Sequence, residues 1–163
     1  MRLTTDQLSI YLHDHLAAST FGVELARRVW RENQGTSYEE YLAGLAKEID
    51  EDRAALQRIA DELRAGRDEL KTVAAWTGEK LGRLKLNGRL TGYAPLSRVL
   101  ELEGLASAVQ GKLGLWRSLR ELSAEDSRLD RPELDALIER GERQLAALRT
   151  LHQRAAREAF RTG

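Results

Sequence analysis

A chain of 163 residues, 42% hydrophobic and 32% charged, is long enough to bury one core and too apolar for wholesale disorder. Its 26 basic residues balance its 26 acidic ones, which excludes recruitment to nucleic acid or to an anionic membrane by net charge. The absence of cysteine excludes disulfides, thiol catalysis and thiolate metal ligands together.

The polar start of the chain, Met1-Arg2-Leu3-Thr4-Thr5-Asp6-Gln7, runs into an amphipathic pattern with no apolar stretch of signal-peptide or membrane-spanning length, so a cytoplasmic location is expected. Thr4 and Gln7 have capping-box spacing and predict a first helix over 4–32. Leu8, Leu12, Leu16, Ser19, Val23, Ala26 and Trp30 form its apolar stripe. Asn33-Gln34-Gly35-Thr36 reads as a tight turn, and Ser37 with Glu40 repeats the capping signal for a second helix over 37–65. That helix has the clearest seam in the chain: Tyr38, Leu42, Leu45, Ile49, Asp52, Leu56, Ile59 and Leu63, with one carboxylate near the middle. So short a connection makes the first two helices antiparallel neighbours.

A short crossover helix is predicted over 67–85, followed by the glycine-bearing stretch 86–93. Pro95 suits a helix start, because its missing N–H costs nothing in the first turn, and a helix over 95–122 follows. Its stripe is read as Leu96, Val99, Leu100, Glu103, Ala106, Val109, Leu113, Trp116 and Leu119. A polar loop leads to Pro132 and a last helix over 132–160, with Leu134, Ile138, Gly141, Leu145, Leu148, His152, Ala155 and Ala159 on one side. The expected fold is all-α, a single domain over 1–163 built as an antiparallel four-helix bundle with an extra helical segment between helices two and three.

Counting outward from the turns brings His15 to about the height of Asp52, and Glu103 opposite His152. A carboxylate in an apolar seam needs a partner. The plainest expectation is two buried histidine–carboxylate hydrogen bonds; the sharper alternative is a metal site, since imidazole and carboxylate are ligands that iron, manganese and zinc accept.

Two helix pairs, 4–65 and 95–160, joined by a long crossover with its own short helix, resemble the ferritin-like superfamily over nearly the whole chain. That resemblance implies a di-iron centre held by a Glu from each of two helices and a Glu-x-x-His pair from each of the other two. Glu24 and Glu103 stand where single glutamates belong, but the remaining helices offer Ile49-x-x-Asp52 and Arg149-x-x-His152, and neither pair matches. The resemblance therefore implies a member without the usual di-iron site, and oxidase, ferroxidase or iron-storage activity is not expected of it.

Other signals have plain readings. His13 and His15, two apart, point in different directions and read as surface decoration. Glu48, Asp50, Glu51 and Asp52 read as a solvated acidic face balanced by Lys47 and Arg53. The basic stretch 80–98, with Lys80, Arg83, Lys85, Arg89 and Arg98 against Glu79, reads as a solvated connector. Trp30, Trp76 and Trp116 read as gap fillers. No nucleophile, phosphate-loop or zinc-protease motif appears, so nothing positive points to an enzyme.

The function expected from sequence is a non-catalytic, metal-free interaction or assembly module without cofactor, a homodimer through an apolar face near Tyr38, Tyr41 and Trp30. One rival is a divergent metal-binding ferritin-like protein with a mono- or dinuclear site drawn from His15, Asp52, Glu103 and His152 together with Glu24 or Glu48. Another is a bundle that binds a small molecule where Gly22, Ala26, Ala106 and Gly141 leave space.

Overall fold

Three- and four-residue spacing of apolar side chains produces helices that must bury one face each. In a computed structural model that describes residues 6–65 and 93–161, four such helices are found among the described residues, with no strand. They are α1 (Asp6–Glu32), α2 (Glu39–Glu62), α3 (Pro95–Leu122) and α4 (Arg131–Phe160). Thr4, Trp76, the crossover helix expected over 67–85 and most of the basic stretch 80–98 lie outside the described residues.

Helix ends follow local chemistry, with one correction. The capping box expected of Ser37 and Glu40 does not form: α2 follows Tyr38 without a side-chain cap, and the side-chain bonds of the turn come from Thr36 and Glu39. Thr36 Oγ1 accepts from the Tyr38 N–H at 3.2 Å, and Glu39 Oε2 accepts from the Gly35 N–H at 2.7 Å. Ser37 instead accepts a hydrogen bond from Arg154. Gly35 adopts φ +75°, a conformation that a glycine takes without steric cost, which lets the turn close. At the far end of α2, Arg64 is left-handed (φ 55°), and the Ala65 N–H reaches back to the Ala60 carbonyl at 3.1 Å. This is a Schellman-type stop with a residue other than glycine at its strained position. Pro95 and Pro132 lie in the first turns of α3 and α4, where no donor is lost.

The α2 seam is buried along its whole predicted length, Tyr38, Leu42, Leu45, Ile49, Asp52, Leu56, Ile59 and Leu63 alike. On α3 the prediction fails in the first half. Leu96, Leu100 and Glu103 are exposed, and the inward row is Val99, Leu102, Leu105 and Val109. The helices meet as α1 with α2, α3 with α4 and α1 with α3. Side-chain bonds join α2 and its N-cap to α4: Tyr38 Oη, just before α2, donates to Glu158 at 2.8 Å, and Arg58 pairs with Glu133. The closest approach is at Gly141, where an added Cβ would lie 2.8 Å from Leu113 Cδ2, so the gap expected there is already filled by that leucine.

The core is divided. One apolar cluster gathers Val29, Tyr38, Leu42, Leu102 and Leu148 toward the α1–α2 turn. The other gathers Leu12, Leu56, Trp116, Leu119 and Leu134 toward the opposite end. Each fully buried leucine contributes about 1.5–3 kcal/mol. Between the clusters runs a belt of ionic and amide side chains.

Candidate functional site

The belt is centred on Asp52, 2% exposed, which follows Ile49 and precedes Leu56 on the same inward row of α2. A carboxylate at that depth requires compensating charge. Lys112 from α3 supplies it through Nζ to Oδ2, and Arg140 from α4 through a guanidinium N–H to Oδ1. Arg140 also donates to Glu51 Oε2 at 3.0 Å. Gln144, as buried as Asp52, accepts from Lys112 Nζ at 2.6 Å and donates to Glu48 Oε2 at 2.7 Å. Tyr41 closes the row by donating to the Gln144 carbonyl at 3.3 Å.

Burial is the largest influence on Lys112 and lowers its pKa, opposed by the Asp52 carboxylate. Burial, with Glu48 nearby, pushes the Tyr41 phenol up to about 12, so it remains a donor across the neutral range. The acids expected to form a solvated face are thus divided: Asp50 pairs outward with Arg27 at 2.8 Å, while Asp52 is enclosed and Glu48 turns to Gln144.

A second polar group ties the bundle together at the end bearing the α1–α2 turn. The Tyr38 ring lies between the guanidinium groups of Arg98 (4.6 Å) and Arg154 (4.5 Å). Its hydroxyl donates to Glu158, whose pKa is lowered first by that bond and further by Arg154. Arg98 also donates to the fully buried Asn33 at 2.6 Å, and Asn33 donates to the Val29 carbonyl and to Tyr93.

The residues singled out from sequence are scattered. The histidine–carboxylate pairing expected at Asp52 is replaced by the Lys112 and Arg140 pairs. Arg53, beside Asp52, donates to Thr20 at 3.4 Å, which places that level of α2 more than a turn beyond His15 on α1. His15 is half-buried against Tyr11, with ring centroids 4.6 Å apart, and burial lowers its pKa. His13, read as surface decoration, is buried. Glu24 is exposed. Glu103 and His152 do share a site, but it is an outer groove between α3 and α4 and not the core. Tyr38 is buried and Tyr41 and Trp30 are half-buried, so they do not form the exposed apolar face proposed for a dimer.

A dinuclear metal centre does not fit the donors among the described residues. Among the described residues no group of three or more His, Asp or Glu side chains is arranged to hold an ion. The only core carboxylate on the α2 row already bears two cations.

Lys112, Arg140 and Gln144 were not singled out from sequence. All three lie one position beside a predicted apolar stripe, next to Leu113, Gly141 and Leu145 respectively. Long side chains at such flanking positions can run their aliphatic stems along the core and deliver a polar head inward. The signal was an unpaired acid in the α2 seam, which called for a cation from any facing helix. Comparison of the chain with protein families, with curated proteins and with solved structures finds no match.

Proposed function

We propose that the chain is an antiparallel four-helix bundle of ferritin-like type, and that it is a non-catalytic assembly module whose interior acids are neutralised by its own cations. The enclosure of Asp52 by Lys112 and Arg140 carries this reading, because those two cations stand where a metal centre would need further ligands. The sense of the contacts supports the arrangement. Arg27 meets Asp50 and Thr20 meets Arg53; Arg28 meets Glu101 and Tyr11 meets Ser118; Arg120 meets Asp135 and Arg117 meets Glu142. In each pair of helices the numbers rise along one partner and fall along the other.

Assembly is supported by apolar surface at one end. Leu96 and Leu100 on α3 are 50% and 57% exposed and Phe160 at the end of α4 is 66% exposed, while the Arg98–Glu158 pair brings those two ends together. Two measurements test the reading. Protein produced with iron, manganese and zinc supplied should retain well under one equivalent of metal after gel filtration; stoichiometric metal would overturn the metal-free core. Light scattering should give a mass above one chain that falls toward one chain on Leu100→Glu. A mass of one chain at every concentration would overturn self-assembly.

A further inference from the structure

The outer groove between α3 and α4 is separate from the ionic belt and has a charge arrangement of its own. It is open to solvent along its length and offers about 360 Å³, within the lower range of small-ligand sites. Glu103 and Gln110 line it from α3, Arg149 and His152 from α4, and Ala106 and Leu145 form an apolar floor. Elsewhere along the same helix pair opposite charges close on each other, as in Arg117–Glu142 at 2.9 Å and Arg120–Asp135 at 2.5 Å. Here an anion and a cation line one groove, yet among the described residues neither the Glu103 carboxylate nor the Arg149 guanidinium has an ion-pair partner.

That arrangement selects by charge. A simple anion attracted to Arg149 would meet Glu103, and a simple amine attracted to Glu103 would meet Arg149, each at a repulsive cost. A molecule carrying both charges satisfies both groups, and an aliphatic body fits the Ala106–Leu145 floor. We propose that the groove binds a small aliphatic zwitterion, of which an α-amino acid is the simplest. Its ammonium is held by Glu103 and its carboxylate by Arg149, with His152, three residues further along α4, as a second donor. Because both charged side chains are solvent-exposed, the affinity is modest, with a Kd of about a millimolar.

The test is an NMR titration of the full chain with L-leucine, following the Leu145 methyl groups and the Gln110 amide. Isocaproate, which lacks the amine, and isoamylamine, which lacks the carboxylate, serve as controls. Leucine should give saturable shifts, both controls should bind about threefold to fivefold more weakly, and Glu103→Gln and Arg149→Gln should each weaken leucine by about threefold to fivefold. Both positions are exposed, so the variants fold, and unchanged spectra away from the groove check this. The proposal is overturned by an absence of saturation up to about 50 mM, by either control binding as well as leucine, or by variants that bind leucine unchanged.

Discussion

The two polar clusters that cross this protein differ in depth, and the difference shows what each one does for the fold. The belt around Asp52 is enclosed: the side chains of Asp52 and Lys112 are only 3% and 16% exposed, and apolar clusters lie on both sides. The clamp around Tyr38 is at a rim, where the Glu158 side chain remains 42% exposed and water shares the load. In the belt, removal of Asp52 leaves Lys112 and Arg140 with only Gln144 and Glu51 as partners and little access to water. In the clamp, solvent replaces much of what is lost. Similar chemistry should therefore give unlike energetic effects.

The largest effect is expected for Asp52→Ala, which strands Lys112 and Arg140 inside. A loss of about 3–5 kcal/mol is expected in denaturant unfolding, a large share of a typical domain's stability of about 5–15 kcal/mol. The change Asp52→Leu, Lys112→Met, Arg140→Met, Gln144→Leu replaces the enclosed members of the belt with apolar side chains and leaves Glu48 and Glu51 to solvent, and it should return to within about 2 kcal/mol of the parent. If the single variant were as mild as a surface change, the contrast between the two clusters would fail.

Gly141→Ala tests the packing beside the belt. The added methyl collides with Leu113, and overpacking of this kind costs about 1–3 kcal/mol, offset by about 1 kcal/mol of improved helix propensity. A net fall in Tm is expected, and Leu113→Ala in the same background should reduce the effect of the glycine substitution.

Tyr38→Phe keeps the ring between the two arginines and removes only its bond to Glu158, so a loss of about 0.5–1.5 kcal/mol is expected. The sign of its pH dependence follows from Glu158. A carboxyl whose folded pKa lies below the ordinary 4.5 contributes stability above that value, and this is lost as pH falls through the lowered folded pKa. Without the phenol bond this acid-side loss should shrink, so stability curves for parent and variant should draw together as pH falls through the lowered folded pKa of Glu158.

The smallest effect lies outside both clusters. Arg64→Gly should relieve the left-handed strain at the end of α2, about 1–2 kcal/mol, against about 0.5–1 kcal/mol of added unfolded-chain freedom. A rise of about 0.5 kcal/mol is expected by denaturant titration.

Much of this architecture is legible in the order of residues, and the α2 seam shows why. Its apolar residues keep one spacing and the flanking positions are polar, so only one face can turn inward. On α3 leucines occur at 96, 100, 102 and 105, all around the helix, and two rows compete. The row containing Glu103 has similar spacing to the row that is buried, and the placement of α1 and α4 decides between them: Leu25 lies 3.3 Å from the Cβ position of Gly104, and Leu148 and Ala155 share a cluster with Leu102 and Leu105. The register that set Glu103 against His152 was sound, since both line one groove, but the face was wrong. The interior cations were hidden for another reason. Lys112 and Arg140 belong by type to the surface, and their inward reach depends on where Asp52 lies across three helices.

The belt draws its members from α2, α3 and α4, and among the described residues none comes from α1. At that level α1 presents Ser19 and Thr20, whose hydroxyls turn back to the Leu16 carbonyl of their own helix. Three helices are thus cross-linked through one carboxylate while the first is held by apolar contact and by pairs at its margin. The two kinds of fastening are therefore divided in space: α1 packs against both α2 and α3 through its apolar row, and the ionic link joins the other three across the middle.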